Sequence, residues 1–481
     1  MMEKGFVMRE GENGFERAIG ILEMIYKFPD FISEEEVEAA RDFVFPELQN
    51  TVIGLLELPA DRELEIFFFR LLLGILKEAQ RAQEEGKKLV FIPFTFPPEI
   101  FYAFDNIFPL CTEIVGGLIT NICYGQGERF WDFAMGLGLP DSLCSANTIG
   151  TMPLFMGPGI RPDAIACNSV GSCNPNAKIH AFASDYLGIP QFILEKPVDE
   201  SRRGRELYYD YFKRFIQELE EWSGSELREE RLREVMERTY QAVDLYHEYW
   251  ELKKARPCPV PNIFSMTLLV LRSQCWGRQE AVDVMQRMVD ISKERLRRGE
   301  YTAPEELARV YITYIYWLFD FAGYFTWMEK EGISILGDIL AIHYFPEKDL
   351  SSRESMLRAL ADITFDCPMT RQMGGESISL RWLEDVAYAA QDLGADACIF
   401  GGVHACKHTL GTAAFFRREM MKRLGLPTLM IYGDVFDKRH TPMEMFQEEV
   451  KTFVEQVVAR KRSQSRRRKA PAPGALTTER G

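Results

Sequence analysis

Three of the ten cysteines lie in polar, loop-like surroundings: Cys144 in PDSLCSANTIGTM, Cys173 in VGSCNPNAKIHAF and Cys406 in GGVHACKHTLGT. A thiolate is a soft metal ligand, so such residues point to metal chemistry. Cys173 and Cys406 each fall just past the carboxyl end of a predicted strand and near a predicted helix start. Open α/β sheets hold their ligands there, and a helix N-terminus lowers a thiol's pKa toward the thiolate needed for ligation. The three thiols come from distant segments, so they could converge only at a cleft between domains. Free cysteine is also among the most buried residue types. That reading suits Cys111, Cys123, Cys275 and Cys398, which sit in apolar runs, and more loosely Cys167, Cys258 and Cys367. Spacing alone leaves Cys144, Cys173 and Cys406 open to both readings, because no compact CxxC repeat is present. In HACKH, His404, Cys406 and His408 alternate; they share one face only if the segment is extended, and no second ligand group supports zinc. No GxxxxGK[ST], GxGxxG, GxSxG or HExxH occurs where a phosphate, nucleophile or zinc site would require it.

The elements that must position these residues begin at Lys87, where short apolar runs alternate with amphipathic helical segments. Candidate strands are 88–95, 163–170 and 190–197, then 308–317, 332–340, 396–403 and 427–435. Intervening helices such as NAKIHAFASDYLG and GTAAFFRREMMKRLG make βαβ units. The fold class is therefore α/β, with two doubly wound parallel-sheet domains. The predicted organisation is an N-terminal helical segment (1–86), a first α/β domain (87–198), a helical insertion (199–299), a second α/β domain (300–459) and a disordered basic tail (460–481). Within the first segment Ser33 and Glu36 read as a capping box. The two α/β units share a pattern: Asp-Ala at a strand start, a Cys after the strand, a helix, then Leu-Gly-(Ile/Leu)-Pro.

Composition bounds the rest. With 481 residues, about three domains are expected, and 46% hydrophobic residues suffice for full cores. A sparse cysteine content and an N-terminus without an apolar core predict a reducing, cytoplasmic setting. The net charge is -15; residues 460–481 carry eight basic and one acidic residue, leaving -22 on the body, which argues against a nucleic-acid partner. The most apolar window, Val310 to Met328, is interrupted by Asp320 and reads as a buried strand and helix rather than a membrane span.

From Lys87 to Ala459 the sequence resembles the 2-hydroxyacyl-CoA dehydratase D-component family, which also contains benzoyl-CoA reductase subunits. The resemblance is carried by GKKLVFIPFTFPPEIFYAFDNIFP, LCSANTIGTM, GSCNPNAKIHAFASDYLGIPQFILEKP and ACKHTLGTAAFFRREMMKRLGLPTLMIYGDVFDKRHTPMEMFQEEVKTFVEQV. It implies an oxygen-sensitive enzyme of anaerobic metabolism, a lyase in which three dispersed cysteines hold a [4Fe-4S] cluster with one iron free of protein thiolate. By position these are Cys144, Cys173 and Cys406, with the cluster site between the two domains; Cys167 lies six residues before Cys173, and the alignment favours Cys173. The resemblance further implies an acyl-CoA substrate, a paralogous second subunit in a heterodimer, and a separate ATP-dependent iron–sulfur activator. That activator supplies one low-potential electron; the resulting ketyl radical expels the hydroxyl, loses a β-proton and returns the electron. A benzoyl-CoA-reductase-type subunit and a non-catalytic electron-relay subunit are the alternatives, and the retained cysteines disfavour a scaffold that has lost its cluster. Two departures stand out. The family's Pro-Glu-Glu element is Pro97-Pro98-Glu99 here, with Glu99 an acid/base or a helix cap, and YITYIYW replaces a glycine-containing loop.

Overall fold

The short apolar runs become strands in the computed structural model, which describes residues 62–118, 127–152, 160–169, 173–303, 305–320, 322–373 and 378–469, with position 120 and a few positions between 16 and 23. β1 (Lys88–Ile92), β2 (Ile107–Cys111), β3 (Ala164–Ser169) and β4 (Gln191–Glu195) form one parallel sheet in the order β2-β1-β3-β4. β5 (Ala308–Ile312), β6 (Ile333–Gly337), β7 (Ala397–Val403) and β8 (Thr428–Gly433) form the second, β6-β5-β7-β8. The two orders are the same, so each sheet reverses its winding between its first and third strands. A doubly wound sheet opens its ligand crevice at that switch, beyond the carboxyl ends of the strands. β5, β6 and β7 are buried at every position, as parallel strands covered by helices on both faces must be.

The repeated sequence pattern has a repeated structural meaning. The Asp163 carboxylate accepts the Leu89 N–H at 2.9 Å, and the Asp396 carboxylate accepts the Arg309 N–H at 3.0 Å. Each aspartate N–H in turn donates to the carbonyl of that same partner at 2.8 Å, which clamps the start of the central strand in each sheet. The glycines of the two Leu-Gly turns, Gly188 and Gly425, end the helices Asn174–Leu187 and Lys407–Leu424 with φ of 64° and 66°. That left-handed region suits a residue without Cβ.

Between the sheets the charged region forms two long helices, Arg202–Ser223 and Glu229–Lys253. They are followed by Phe264–Val270, a π turn over Leu271–Cys275, and Gln279–Arg298. Arg309, buried in β5, donates to the Lys253, Ala255 and Leu393 carbonyls, so a side chain of the second sheet satisfies orphan carbonyls at a helix end.

The structure departs from the sequence reading at three places. β2 was not expected, because Pro109 interrupts IFPLC; it is an edge strand, where proline is tolerated. Its open edge is covered by Gln274, whose Nε2 donates to the Pro109 carbonyl at 2.8 Å and whose Oε1 accepts the Cys111 N–H at 2.7 Å. β5 stops at Ile312 rather than 317, and the apolar window that follows holds a π turn, Ala322–Thr326, and a short helix, Trp327–Lys330. Among the described residues no helix is long and apolar enough to cross a membrane. Finally, the helix Met443–Lys469 continues through the first ten residues of the segment expected to be disordered, since no glycine or proline stops it before Pro471. Residues 470–481 and the capping box at Ser33 lie outside the described residues.

Candidate functional site

Cys144, Cys173 and Cys406 occupy the same local position. Each is the residue just before a helix, respectively Ser145–Thr151, Asn174–Leu187 and Lys407–Leu424, and each has an extended backbone. None of the three side chains makes the full capping hydrogen bond that Ser, Thr or Asp would make there, although the Asn147 and Asn176 N–H groups, three residues on, lower the Cys144 and Cys173 thiol pKa values. Cys173 follows β3 and Cys406 follows β7, the strands that flank the two switch points. Ala405, immediately before Cys406, has φ of 65°, a conformation that non-glycine residues rarely adopt outside constrained sites.

All three thiols line one cavity of about 190 Å³, together with Pro140, Lys178, Lys407 and His408. Exposure does not distinguish them, because all nine described cysteines are buried; position does. Cys123 lies outside the described residues. Cys167 is inside β3, where Gln191 Nε2 donates to its sulfur at 3.3 Å, and it does not line the cavity. The expected lowering of the thiol pKa at the helix N-termini is outweighed for two of the three. Burial, and then the neighbouring sulfurs Cys173 and Cys406, push the Cys144 thiol well above its usual range. Burial likewise pushes Cys173 up to about 12. Three sulfurs gathered in one cavity form a donor set that a bound cation would complement.

The donor set also decides which kind of group fits. A single zinc ion needs its sulfurs about 2.3 Å from one point, and among the described residues no three His, Cys, Asp or Glu side chains stand close enough for one ion. All three sulfurs nevertheless line the one cavity, a soft donor set of the kind that thiolate-held groups require. The HACKH segment makes no zinc site: a helix starts at Lys407, so its side chains diverge, and His404 stacks on His440 with ring centroids 4.2 Å apart. Tyr314 places its hydroxyl 3.5 Å from the Cys406 sulfur.

Behind the helix Ser145–Thr151 lies a second cavity, of about 60 Å³ and almost wholly apolar. Ala146, two residues after Cys144, and Ile315, next to Tyr314, line it. So does Glu113, whose carboxyl sequence reasoning missed. Glu113 stands in the helix Thr112–Leu118, directly after β2. Its Oε2 accepts from the Phe94 N–H at 3.1 Å and the Thr112 hydroxyl at 3.0 Å, and its Oε1 accepts from Asn176 Nδ2 at 3.0 Å. Burial outweighs these donors and pushes its pKa up to about 7. Asn176 also donates to Asn147 Oδ1 at 2.7 Å, so the helices that begin at Cys144 and Cys173 are tied together beside this carboxyl. His180 is buried and neutral, its pKa lowered by burial to about 4. Its Nδ1 lies 2.7 Å from the Asn176 carbonyl, which can only accept, so Nδ1 carries the proton. Nε2, 3.3 Å from the Thr112 oxygen, is then an acceptor, and the single Thr112 proton has both His180 and Glu113 within reach.

Glu99 is placed elsewhere. It stands in the first turn of a four-residue helix with no side-chain cap, and both its oxygens lie 2.9 Å from Arg272 Nη1. Arg272 in turn lies over the Trp276 and Phe345 rings. Glu99 lines neither cavity. With this geometry in place, comparison with known proteins adds one finding: the family model for 2-hydroxyglutaryl-CoA dehydratase, D-component, matches residues 93–457. No curated protein matches the chain.

Proposed function

Because the chain belongs to the 2-hydroxyglutaryl-CoA dehydratase D-component family, we propose that it is a cluster-holding subunit of a 2-hydroxyacyl-CoA dehydratase. Cys144, Cys173 and Cys406 would hold a [4Fe-4S] cluster, and the convergence of these three thiols on one cavity is the observation that carries the reading. When bound, the cluster supplies one-electron chemistry and an iron able to act as a Lewis acid toward a thioester oxygen. By family resemblance a paralogous second subunit and a separate ATP-driven activator complete the system.

The chain's own residues supply the remaining requirements of the elimination. Removing water from a 2-hydroxyacyl thioester takes a proton from the β-carbon and releases hydroxide, so a group must accept a proton and later return it. Glu113 has that capacity: with its pKa near 7, both protonation states are populated at neutral pH. Oε2 already accepts three hydrogen bonds, from the Phe94 N–H, the Thr112 hydroxyl and the Cys111 thiol, and Oε1 only one, so Oε1 is the oxygen with a lone pair open for the proton. Thr112 and the neutral His180 orient the carboxyl without adding charge, and the apolar wall around it excludes water.

Anaerobic reconstitution of the full chain with iron and sulfide tests the ligand set. Wild type and the Cys167→Ser control should take up four irons per chain, as a [4Fe-4S] cluster requires, whereas Cys144→Ser, Cys173→Ser and Cys406→Ser should each lose most of that iron. A colourless wild-type protein, or three variants with undiminished iron, would sink the proposal. Addition of an acyl-CoA should alter the spectrum of the cluster-loaded chain; an unaltered spectrum would favour the relay role.

A further inference from the structure

We infer that the acyl group taken by this site is apolar and of intermediate size, a branched aliphatic or phenyl-bearing side chain, and that it carries no distal carboxylate. The inference rests on the proposed dehydratase reading and names the substrate class of that same site. The family description refers to a 2-hydroxyglutaryl thioester, whose acyl chain ends in a second carboxylate. The apolar cavity behind the Cys144 helix is hostile to such a group. Phe94, Ile114, Leu269, Ile315, Leu318 and Phe436 are among the apolar residues of its wall, and among the described residues no Lys, Arg or His lines it. Its one carboxyl is Glu113, so an entering carboxylate would meet either a like charge or an acid that offers a single proton. The buried cations cannot compensate, since none of them lines the cavity and each is bound elsewhere. Lys196 donates to the Thr370 carbonyl, Lys253 to the Leu336 carbonyl, Arg295 to the Tyr301 carbonyl, Arg309 to the Lys253 carbonyl, and Arg272 pairs with Glu99.

Size narrows the class further. One water needs roughly 10–15 Å³ of such space, so a cavity of about 60 Å³ admits an apolar group of about four to six heavy atoms. An isobutyl or phenyl group has that size, and a methyl group would leave most of the space empty. The lining of this cavity neighbours the thiol-bearing segments: Ala146 lies two residues after Cys144, Ile315 adjoins Tyr314, whose hydroxyl contacts Cys406, and Glu113 accepts from Asn176, three residues after Cys173. An acyl chain seated there would hold its thioester end toward the thiol-lined cavity and its β-carbon toward the Glu113 carboxyl.

Equilibrium binding to the anaerobically reconstituted full chain tests the assignment, with three thioesters that differ only in the acyl group and with CoA itself as reference. The isobutyl- and benzyl-bearing 2-hydroxyacyl-CoA thioesters should bind about 100-fold or more tightly than 2-hydroxyglutaryl-CoA. Equal or reversed affinities would overturn the inference while leaving the dehydratase reading intact. Failure of every thioester and of CoA to bind would overturn both. In Leu269→Arg, which sets a cation in the wall at a position that is not fully buried, the preference should shift at least 10-fold toward the glutaryl thioester. A folded variant with an unchanged preference would refute the placement. Should that variant not fold, Leu318→Ala decides, since it enlarges the same cavity; it should raise the benzyl-to-isobutyl affinity ratio several-fold, and an unchanged ratio would again refute the placement.

Discussion

Glu113→Gln separates the proton-carrying capacity of this carboxyl from its structural role, through the pH dependence of stability. The pKa of Glu113 rises from 4.5 to about 7 on folding, with burial as the leading cause. Between those values the native state keeps a proton that the unfolded chain has already released, so stability falls as pH rises through the window. A rise of 2.5 pH units at 1.36 kcal/mol per unit makes the loss roughly 3 kcal/mol, complete once the pH exceeds about 7. Glutamine has nearly the same shape and does not titrate. Its amide, however, turns one N–H toward the donors Phe94 N–H, Thr112 and Asn176, a mismatch that costs about 1–3 kcal/mol at every pH. Glu113→Gln should therefore be less stable than wild type near pH 5 and should draw level with it, or pass it, near pH 8, a relative change of roughly 3 kcal/mol. Urea unfolding of the metal-free chain, followed by tryptophan fluorescence under reductant at several pH values, measures this difference directly. A gap between the two proteins that stayed constant from about pH 5 to about pH 8 would refute the claim that burial holds the proton on Glu113. In the assembled enzyme the same substitution should lower kcat/KM by about 10²–10⁴-fold, as loss of a general acid/base does.

Further substitutions test the scaffold. Arg272→Met leaves the Glu99 carboxylate buried without its partner and should cost about 3–5 kcal/mol in urea unfolding. The double variant with Glu99→Gln should recover most of that loss, and if Glu99 belongs to the scaffold alone, reconstituted iron content should not change in either protein. Gly188→Ala and Gly425→Ala each place a Cβ in the left-handed region where no neighbouring backbone obstructs it, so each should lose only the conformational term of about 1 kcal/mol. The corresponding Asn substitutions should lose less by the same unfolding assay.

The parts of this molecule that were legible in its sequence are those it contains twice. Asp163 and Asp396, Gly188 and Gly425, and Cys173 and Cys406 recur at matching places because the same clamp, turn and strand-end position are built into both sheets. Local residue types announce each of these devices, and their repetition separated Cys173 and Cys406 from the cysteines of the core. Cys144 lies outside the repeated pattern and was legible only through the polar residues around it. Glu113 was not legible, for two physical reasons. Pro109 hid the strand that precedes it, and the strand survives only because Gln274, from 165 residues along the chain, covers its edge. The properties of the carboxyl also come from distant partners: Asn176 lies 63 residues away, and the apolar wall is assembled from both units. The second sheet offers a comparison. Asp338 follows β6 as Glu113 follows β2, and burial raises its pKa too, to about 6. Yet the Asp338 side chain caps its own short helix by accepting the Leu340 N–H, and it lines neither cavity. Near-equivalent positions in a duplicated fold thus carry one carboxyl spent on local structure and one open to a cavity. The chemistry is accordingly one-sided: two thiols come from the shared design, while the third thiol and the proton-carrying group come from the first unit alone.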